Sequence, residues 1–193
     1  MTLRVRLAAV LVVVIALLGW RTQLFVVSRP GASPRPLDAI PAESRRAVAL
    51  DVTLPAVPIG STRLRAGEGV MIVHYWAPWE RRALAQATAL DSLRRLEAFA
   101  PLRVEVVCFD PFPSVARYVA RQRFRLDVVL DRDRRLAAAL PCPSLPYTYV
   151  LDRRGRIAVA QAGEVDWFAP ATRELLARLM SEPVAEPPRL PPS

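Results

Sequence analysis

The chain has 193 residues, of which 52% are hydrophobic and 23% charged, a balance that fits a folded protein and excludes disorder throughout. All 27 basic residues are arginines, which against 18 acidic residues give a net charge of +9, and the absence of lysine excludes a Schiff base and a phosphate-loop lysine. One histidine, His74, and two cysteines, Cys108 and Cys142, are too few for a closed zinc site, so we expect neither a metal nor a cofactor.

An uninterrupted apolar run at residues 7–19 follows Arg4 and Arg6, which is the pattern of a secretory signal or a membrane anchor. Extended to Val27, the run would form a helix about 31 Å long, enough to cross a hydrocarbon core of about 30 Å. The small-x-small pattern of a signal cleavage site is poor here. We therefore predict that residues 1–27 form an uncleaved transmembrane helix, with a cleaved signal segment as the alternative.

The location of the remaining chain follows from this layout. A short amino-terminal tail before a long folded segment is typical of an exported domain. We therefore expect a single-pass protein of the cytoplasmic membrane, with residues 28–193 on the periplasmic or extracytoplasmic side. Nucleic acid is a poor partner candidate in that compartment, and the arginines are interpreted as solvated surface residues.

Six prolines between residues 28 and 58 indicate an extended tether with one short strand at Val52 to Leu54. A folded domain is predicted at residues 59–181, followed by a disordered, proline-rich tail at residues 182–193. The domain begins with a buried strand, Val70 to Trp76, and a helix, Glu80 to Ala100, whose apolar residues recur every three or four positions.

The rest of the domain alternates strands and helices. The predicted elements are a strand at 103–109, a helix at 114–122, a short strand at 127–130, a helical turn or two at 134–140, a hairpin of strands 147–152 and 156–160, and a final helix after Pro170. This order predicts an α/β fold, a mixed sheet with helices on both faces.

Several segments resemble one family. GEGVMIVHYWAPWERRA, at residues 67–83, resembles the entry to the active site of the membrane-anchored thioredoxin-like oxidoreductases, the redoxins of the TlpA, ResA and CcmG type. The segments VEVVCFD, DVVLDRDRRLAAAL and SLPYTYVLDRRGRI are similar to later segments of that family, in the same order. The resemblance covers about residues 52 to 180. It implies a thioredoxin-like fold in which Pro146 is the cis-proline that faces the active site.

The catalytic motif of that family is missing. The family carries Cys-x-x-Cys after its W-A-x-W pattern, at a helix end that lowers the pKa of the first thiol. Here Glu80 and Ala83 occupy the two cysteine positions, and neither can attack a disulfide. A carboxylate at Glu80 would be favoured by the same helix end, or it is simply a good first-turn residue. The resemblance thus implies a degenerate member, whose groove at Trp76, Trp79, Glu80, Ala83 and Pro146 holds an unknown exported protein.

His74 falls where thioredoxins carry a buried acid beneath the cysteines. Without a cysteine to deprotonate, a proton relay has no purpose there. We therefore expect a structural histidine that is hydrogen-bonded within its strand.

Two further hypotheses stay open beside the redox-inactive binding module. One is a divergent thiol-disulfide oxidoreductase that uses Cys108 and Cys142, and the other is a membrane-tethered structural subunit. In the family's sheet the strands next to the two cysteines flank the central strand, so they lie about 9.6 Å apart, whereas a disulfide needs Cα atoms closer than about 7 Å. The bond can form only if residues 141–143 fold back over the central strand, so free thiols are the default expectation.

Overall fold

The computed structural model describes residues 26–27, 33–80, 82–122 and 126–183. Most of the predicted membrane anchor, residues 1–25, and most of the predicted tail, residues 184–193, lie outside the described residues. Val26–Val27, the last two residues of the predicted anchor, form a short strand instead of the end of a helix. Within the described part of the chain, no helix has the length and apolar character needed to span a bilayer.

The described elements alternate between strands and helices as predicted. The strands are β1 Val26–Val27, β2 Asp51–Val57, β3 Ser61–Arg65, β4 Met71–Tyr75, β5 Arg103–Cys108, β6 Val128–Leu130, β7 Ser144–Leu145, β8 Tyr147–Leu151 and β9 Ile157–Ala162. The α-helices are α1 Ala83–Arg94, α2 Phe112–Gln122, α3 Arg135–Ala139 and α4 Pro170–Ser181, with 3-10 turns at Ala42–Ser44 and Glu97–Phe99.

Seven strands form one mixed sheet in the order β3-β2-β6-β5-β4-β8-β9. β4 pairs in parallel with β5 and antiparallel with β8, so its two neighbours are the predicted ones. β1 and β7 pair in parallel as a separate two-stranded sheet. The predicted α/β fold with the strand Val70 to Trp76 in the interior of a mixed sheet is confirmed.

Each face of the sheet has its own hydrophobic core. Alternation along β4 sends Ile72 and Trp76 to the core that contains residues of α1, α2 and α4. Met71, Val73 and Tyr75 point to the other core, which contains residues of α3 and of the β2–β3 hairpin. The helices α1 and α2 share a face because two successive right-handed crossovers move the chain in one direction, from β4 to β5 to β6. Helices therefore cover both faces, as predicted.

The predicted tether is the main difference between expectation and structure. Residues 51–57 form β2, a full strand that pairs with β3 and β6. Residues 35–48 lie along β9, where the N–H of Ile40 donates to the carbonyl of Ala158 at 2.8 Å and the N–H of Ile157 donates to the carbonyl of Arg46 at 2.9 Å. The folded part of the described chain thus begins well before residue 59, because this proline-rich segment covers an otherwise open sheet edge.

The helix after β4 is also shorter than predicted. It begins at Ala83 instead of Glu80 and ends at Arg94. A 3-10 turn at Glu97–Phe99 replaces its predicted last residues, because Leu96 takes an extended backbone.

Candidate functional site

The motif that resembles an active site lies at the carboxyl end of β4. Tyr75, the last residue of β4, pairs with Tyr147 in β8, and carrying that register one residue further brings Pro146 alongside Trp76. The Leu145–Pro146 peptide bond is cis, as the resemblance implies, and so is the Val57–Pro58 bond. Trp76 and Pro146, two of the predicted groove residues, are therefore neighbours across the sheet.

The two motif tryptophans occupy different environments. Trp76 is buried and packs against Tyr118 of α2, with a distance of 5.4 Å between ring centroids. Trp79 is 54% exposed, so it stands on the surface beside the place where the helix begins. Trp76 is a packing residue, and Trp79 is the tryptophan that a ligand could touch.

The residues at the two cysteine positions of the family also differ in exposure. Glu80 is half-buried, and its Oε2 accepts a hydrogen bond from the backbone N–H of Arg82 at 3.0 Å. It lies before the helix, which begins at Ala83, so the interpretation of Glu80 as a first-turn residue is wrong. Ala83 is 1% exposed and packs into the core that contains residues of α1, α2 and α4. Its side chain therefore adds nothing to a surface groove.

Two polar side chains tie α1 to the segment after β9, and neither was predicted from the sequence. Arg82 forms an ion pair with Glu164, with 2.9 Å between Nη1 and Oε2. Gln86 is buried, and its Oε1 accepts hydrogen bonds from the N–H of Val165 at 3.1 Å and from Nε1 of Trp167 at 3.0 Å. A signal existed for Gln86, because it is a polar residue on the inner stripe of an apolar helix.

His74 lies below this motif and is fully buried. Its Nδ1 is 3.0 Å from the Oγ1 of Thr148 in β8, so the histidine is hydrogen-bonded as expected, but across two strands instead of within its own. Among the described residues, Nε2 of His74 has no hydrogen-bond partner, and the ring meets Trp167 edge-on with 6.0 Å between centroids. Burial lowers the pKa of His74 to about 4, so the ring is neutral at neutral pH.

Cys108 and Cys142 are both buried free thiols. Cys108 belongs to the core of α1, α2 and α4, and its Sγ lies 3.4 Å from Oδ2 of Asp110. Cys142 belongs to the core of α3, and its Sγ is 3.1 Å from the carbonyl oxygen of Ser144. The sheet separates the two sulfur atoms, a stronger obstacle to a disulfide than the predicted strand spacing.

Neither thiol has the environment of an activated nucleophile. Burial raises the pKa of Cys142 to about 12 and raises that of Cys108 well above its usual range. Neither residue lies at the amino end of a helix, where a thiolate would be stabilised. The described residues also contain no group of three or more His, Cys, Asp or Glu that could hold a metal ion.

No protein-family model and no curated protein sequence matches the chain. Solved structures do. A secreted thiol-disulfide isomerase from Corynebacterium glutamicum is 18% identical, with a TM-score of 0.60 over 82% of this chain and 98% of that one. A DsbF homologue from Corynebacterium diphtheriae is 19% identical, with a TM-score of 0.58 over 80% of this chain and 96% of that one.

StoA from Bacillus subtilis is 15% identical, with a TM-score of 0.56 over 69% of this chain and 98% of that one. At these identities the likeness concerns the fold, since many functions share one architecture. The chain therefore has a thioredoxin-like fold, the fold of the solved thiol-disulfide oxidoreductases to which it is similar.

Proposed function

We propose that this chain is a membrane-anchored, extracytoplasmic thioredoxin-like protein that binds a partner protein and does not exchange disulfides. One observation carries the proposal: Glu80 and Ala83 occupy the positions of the family's two catalytic cysteines. Disulfide exchange needs an attacking thiolate and a second thiol within reach to resolve the mixed disulfide. A carboxylate and a methyl group supply neither.

The alternative enzyme would have to use Cys108 and Cys142. Their burial, their raised pKa values and their positions on opposite faces of the sheet all argue against that use. The binding hypothesis needs only a surface, and Trp79, next to Glu80 in the chain, supplies an exposed aromatic residue.

The binding surface is tested by photo-crosslinking in native membranes. A photoreactive residue at Glu80 is compared with one at Ile59, which is 90% exposed in the β2–β3 turn. We expect a discrete crosslinked protein from position 80 that is absent from position 59. Equal labelling from both positions would count against a binding groove.

The chemistry is tested separately by insulin reduction with dithiothreitol. We expect no acceleration by the unmodified chain. Acceleration that is abolished by Cys142→Ser would replace the binding module with the divergent enzyme.

A further inference from the structure

Five large hydrophobic side chains are exposed in the described part of the chain. They lie at the two opposite ends of the strands, and in this subsection each of these ends is called an edge. Their exposed fractions are 54% for Trp79, 46% for Phe112, 44% for Phe168, 90% for Ile59 and 40% for Leu96. Strand direction separates them, and the three aromatic residues share one edge.

The aromatic edge is defined by the carboxyl ends of β4, β5 and β9. β4 and β5 are parallel, and β9 runs in the same direction because it is antiparallel to β8, which is antiparallel to β4. Trp79 follows β4, Phe112 follows β5 and Phe168 follows β9. Ile59 follows β2, which runs against β6 and hence against β4, so it lies at the opposite edge. Leu96 lies at that opposite edge too, between the end of α1 and the start of β5.

The chain enters the fold at the aromatic edge. Val26–Val27 pair with Ser144–Leu145, immediately before Pro146 and the start of β8, which lies level with the end of β4. With Val26–Val27 in β1, the remaining part of the predicted anchor ends at Phe25, directly before Val26, and consecutive Cα atoms are only about 3.8 Å apart. No spacer therefore separates the predicted anchor from this edge.

We propose that the aromatic edge, formed by Trp79, Phe112 and Phe168, rests on the surface of the lipid bilayer. The inference rests on the proposed membrane anchor: when residues 7–25 are inserted, the strand that follows them holds this edge against the headgroups. Nineteen helical residues would span about 29 Å, close to the hydrocarbon thickness of about 30 Å. Tryptophan is enriched at the membrane interface, and phenylalanine is typical of the apolar faces that interfacial segments bury there.

Charge has a minor part in this contact. The edge carries both signs, since Arg82 is paired with Glu164, and the exposed Arg132 is followed by the exposed Asp133 after β6. The contact therefore depends on aromatic burial, and high salt should leave it unchanged. A partner that reaches Trp79 must then itself lie at the membrane surface.

Spin labels on the full-length chain test the orientation. The chain is reconstituted in vesicles of phosphatidylethanolamine and phosphatidylglycerol, and labels are attached through Phe112→Cys or Phe168→Cys at the aromatic edge. Ile59→Cys and Leu96→Cys are the matched controls at the opposite edge. The unmodified chain gives the background, since its two thiols are buried.

Collision with oxygen, which concentrates in the bilayer, is compared with collision with a nickel chelate, which stays in water. We expect labels at positions 112 and 168 to favour oxygen several-fold over those at 59 and 96, in low and in high salt. Four equally water-accessible labels on a chain that resists carbonate extraction would overturn the orientation alone. Release of the chain by carbonate would overturn the anchor and the orientation together.

Discussion

Cys108 and Cys142 point into different hydrophobic cores, one on each face of the sheet. The two sulfur atoms also have different polar neighbours. Sγ of Cys108 lies near Oδ2 of Asp110, and Sγ of Cys142 lies near the carbonyl oxygen of Ser144. The two thiols are therefore independent buried groups.

Thiol reactivity should depend on unfolding. The thiolate is the reactive form, and burial raises the pKa of both thiols, so very little thiolate exists at pH 8 in the folded chain. We expect an aromatic disulfide reagent to react slowly with the native chain. In about 6 M guanidinium, which unfolds most domains, both cysteines should react rapidly and release two equivalents of the aromatic thiol. Rapid reaction of either thiol in the native chain would contradict the burial of that cysteine.

Placing cysteines at the two motif positions should create the missing chemistry. In Glu80→Cys with Ala83→Cys, the two residues lie within one turn, since the N–H of Ala83 donates to the carbonyl of Glu80 at 3.2 Å. We expect a dithiol that oxidises to a disulfide and accelerates insulin reduction. The control is Glu80→Cys alone, which has an attacking thiol but no resolving partner and should remain inactive.

Stability should fall between pH 6.5 and about pH 4 because of His74. The unfolded chain binds a proton at this residue below pH 6.5, whereas the folded chain does so only below about pH 4. The unfolded state therefore binds more protons across this window, and the loss reaches roughly 3 kcal/mol at its acid end. Urea unfolding of the full-length chain in mild detergent, at several pH values, measures this slope.

His74→Gln is the matched variant for that slope, because glutamine can still bond Thr148 but does not titrate. We expect its free energy of unfolding to depend less on pH across the window than that of the unmodified chain. Taking the difference between the two chains removes the contributions of carboxyl groups such as Glu105 and Asp152. Identical slopes would contradict the assignment to His74.

Arg45 should be essential for stability although it lies in the segment that the sequence presents as a tether. Its side chain is 4% exposed and bonds Asp152, which is fully buried, at 3.2 Å and Glu182 at 2.7 Å. Arg156 still pairs with Asp152 at 2.8 Å in the variant, so Arg45→Met removes one of two arginines from a buried carboxylate. The lost charged hydrogen bonds should cost about 2 kcal/mol in the free energy of unfolding.

The control for Arg45 is Arg63→Met. Arg63 pairs with Asp51 at 2.7 Å, but both side chains are about half exposed. Loss of such a surface pair costs less than about 1 kcal/mol. Equal losses in the two variants would mean that residues 33–50 are not held by the fold as described.

The sequence alone was sufficient for features that depend on local pattern. The run VMIVHYW predicted a strand buried on both faces, and the three- to four-residue recurrence of apolar residues predicted α1 and α4. The replacement of both motif cysteines is visible directly in the sequence. Burial on both faces of a strand and helical periodicity each depend on residues close together in the chain, so they are predicted without long-range information.

Contacts between residues that lie far apart in the chain became known only from the tertiary structure. Residues 33–58 look like a tether because proline removes backbone donors and the segment has few periodic apolar residues. Pro55 is nevertheless accommodated in β2, where it pairs only with the β3 side, and the N–H of Leu37 bonds Oγ1 of Thr172, 135 positions away. No local pattern contains such a partner.

The candidate site divides in the same way. The resemblance to the redoxin family implied the motif, the cis-proline and the missing thiols, since each was carried over from a family segment onto the residue at the matching position. Which side of the sheet each cysteine faces, and which of Trp76 and Trp79 stays exposed, depended on strand register and on what packs above each strand. Those are properties of the assembled sheet, because alternation assigns a residue to a face only once the neighbouring strands and helices are in place.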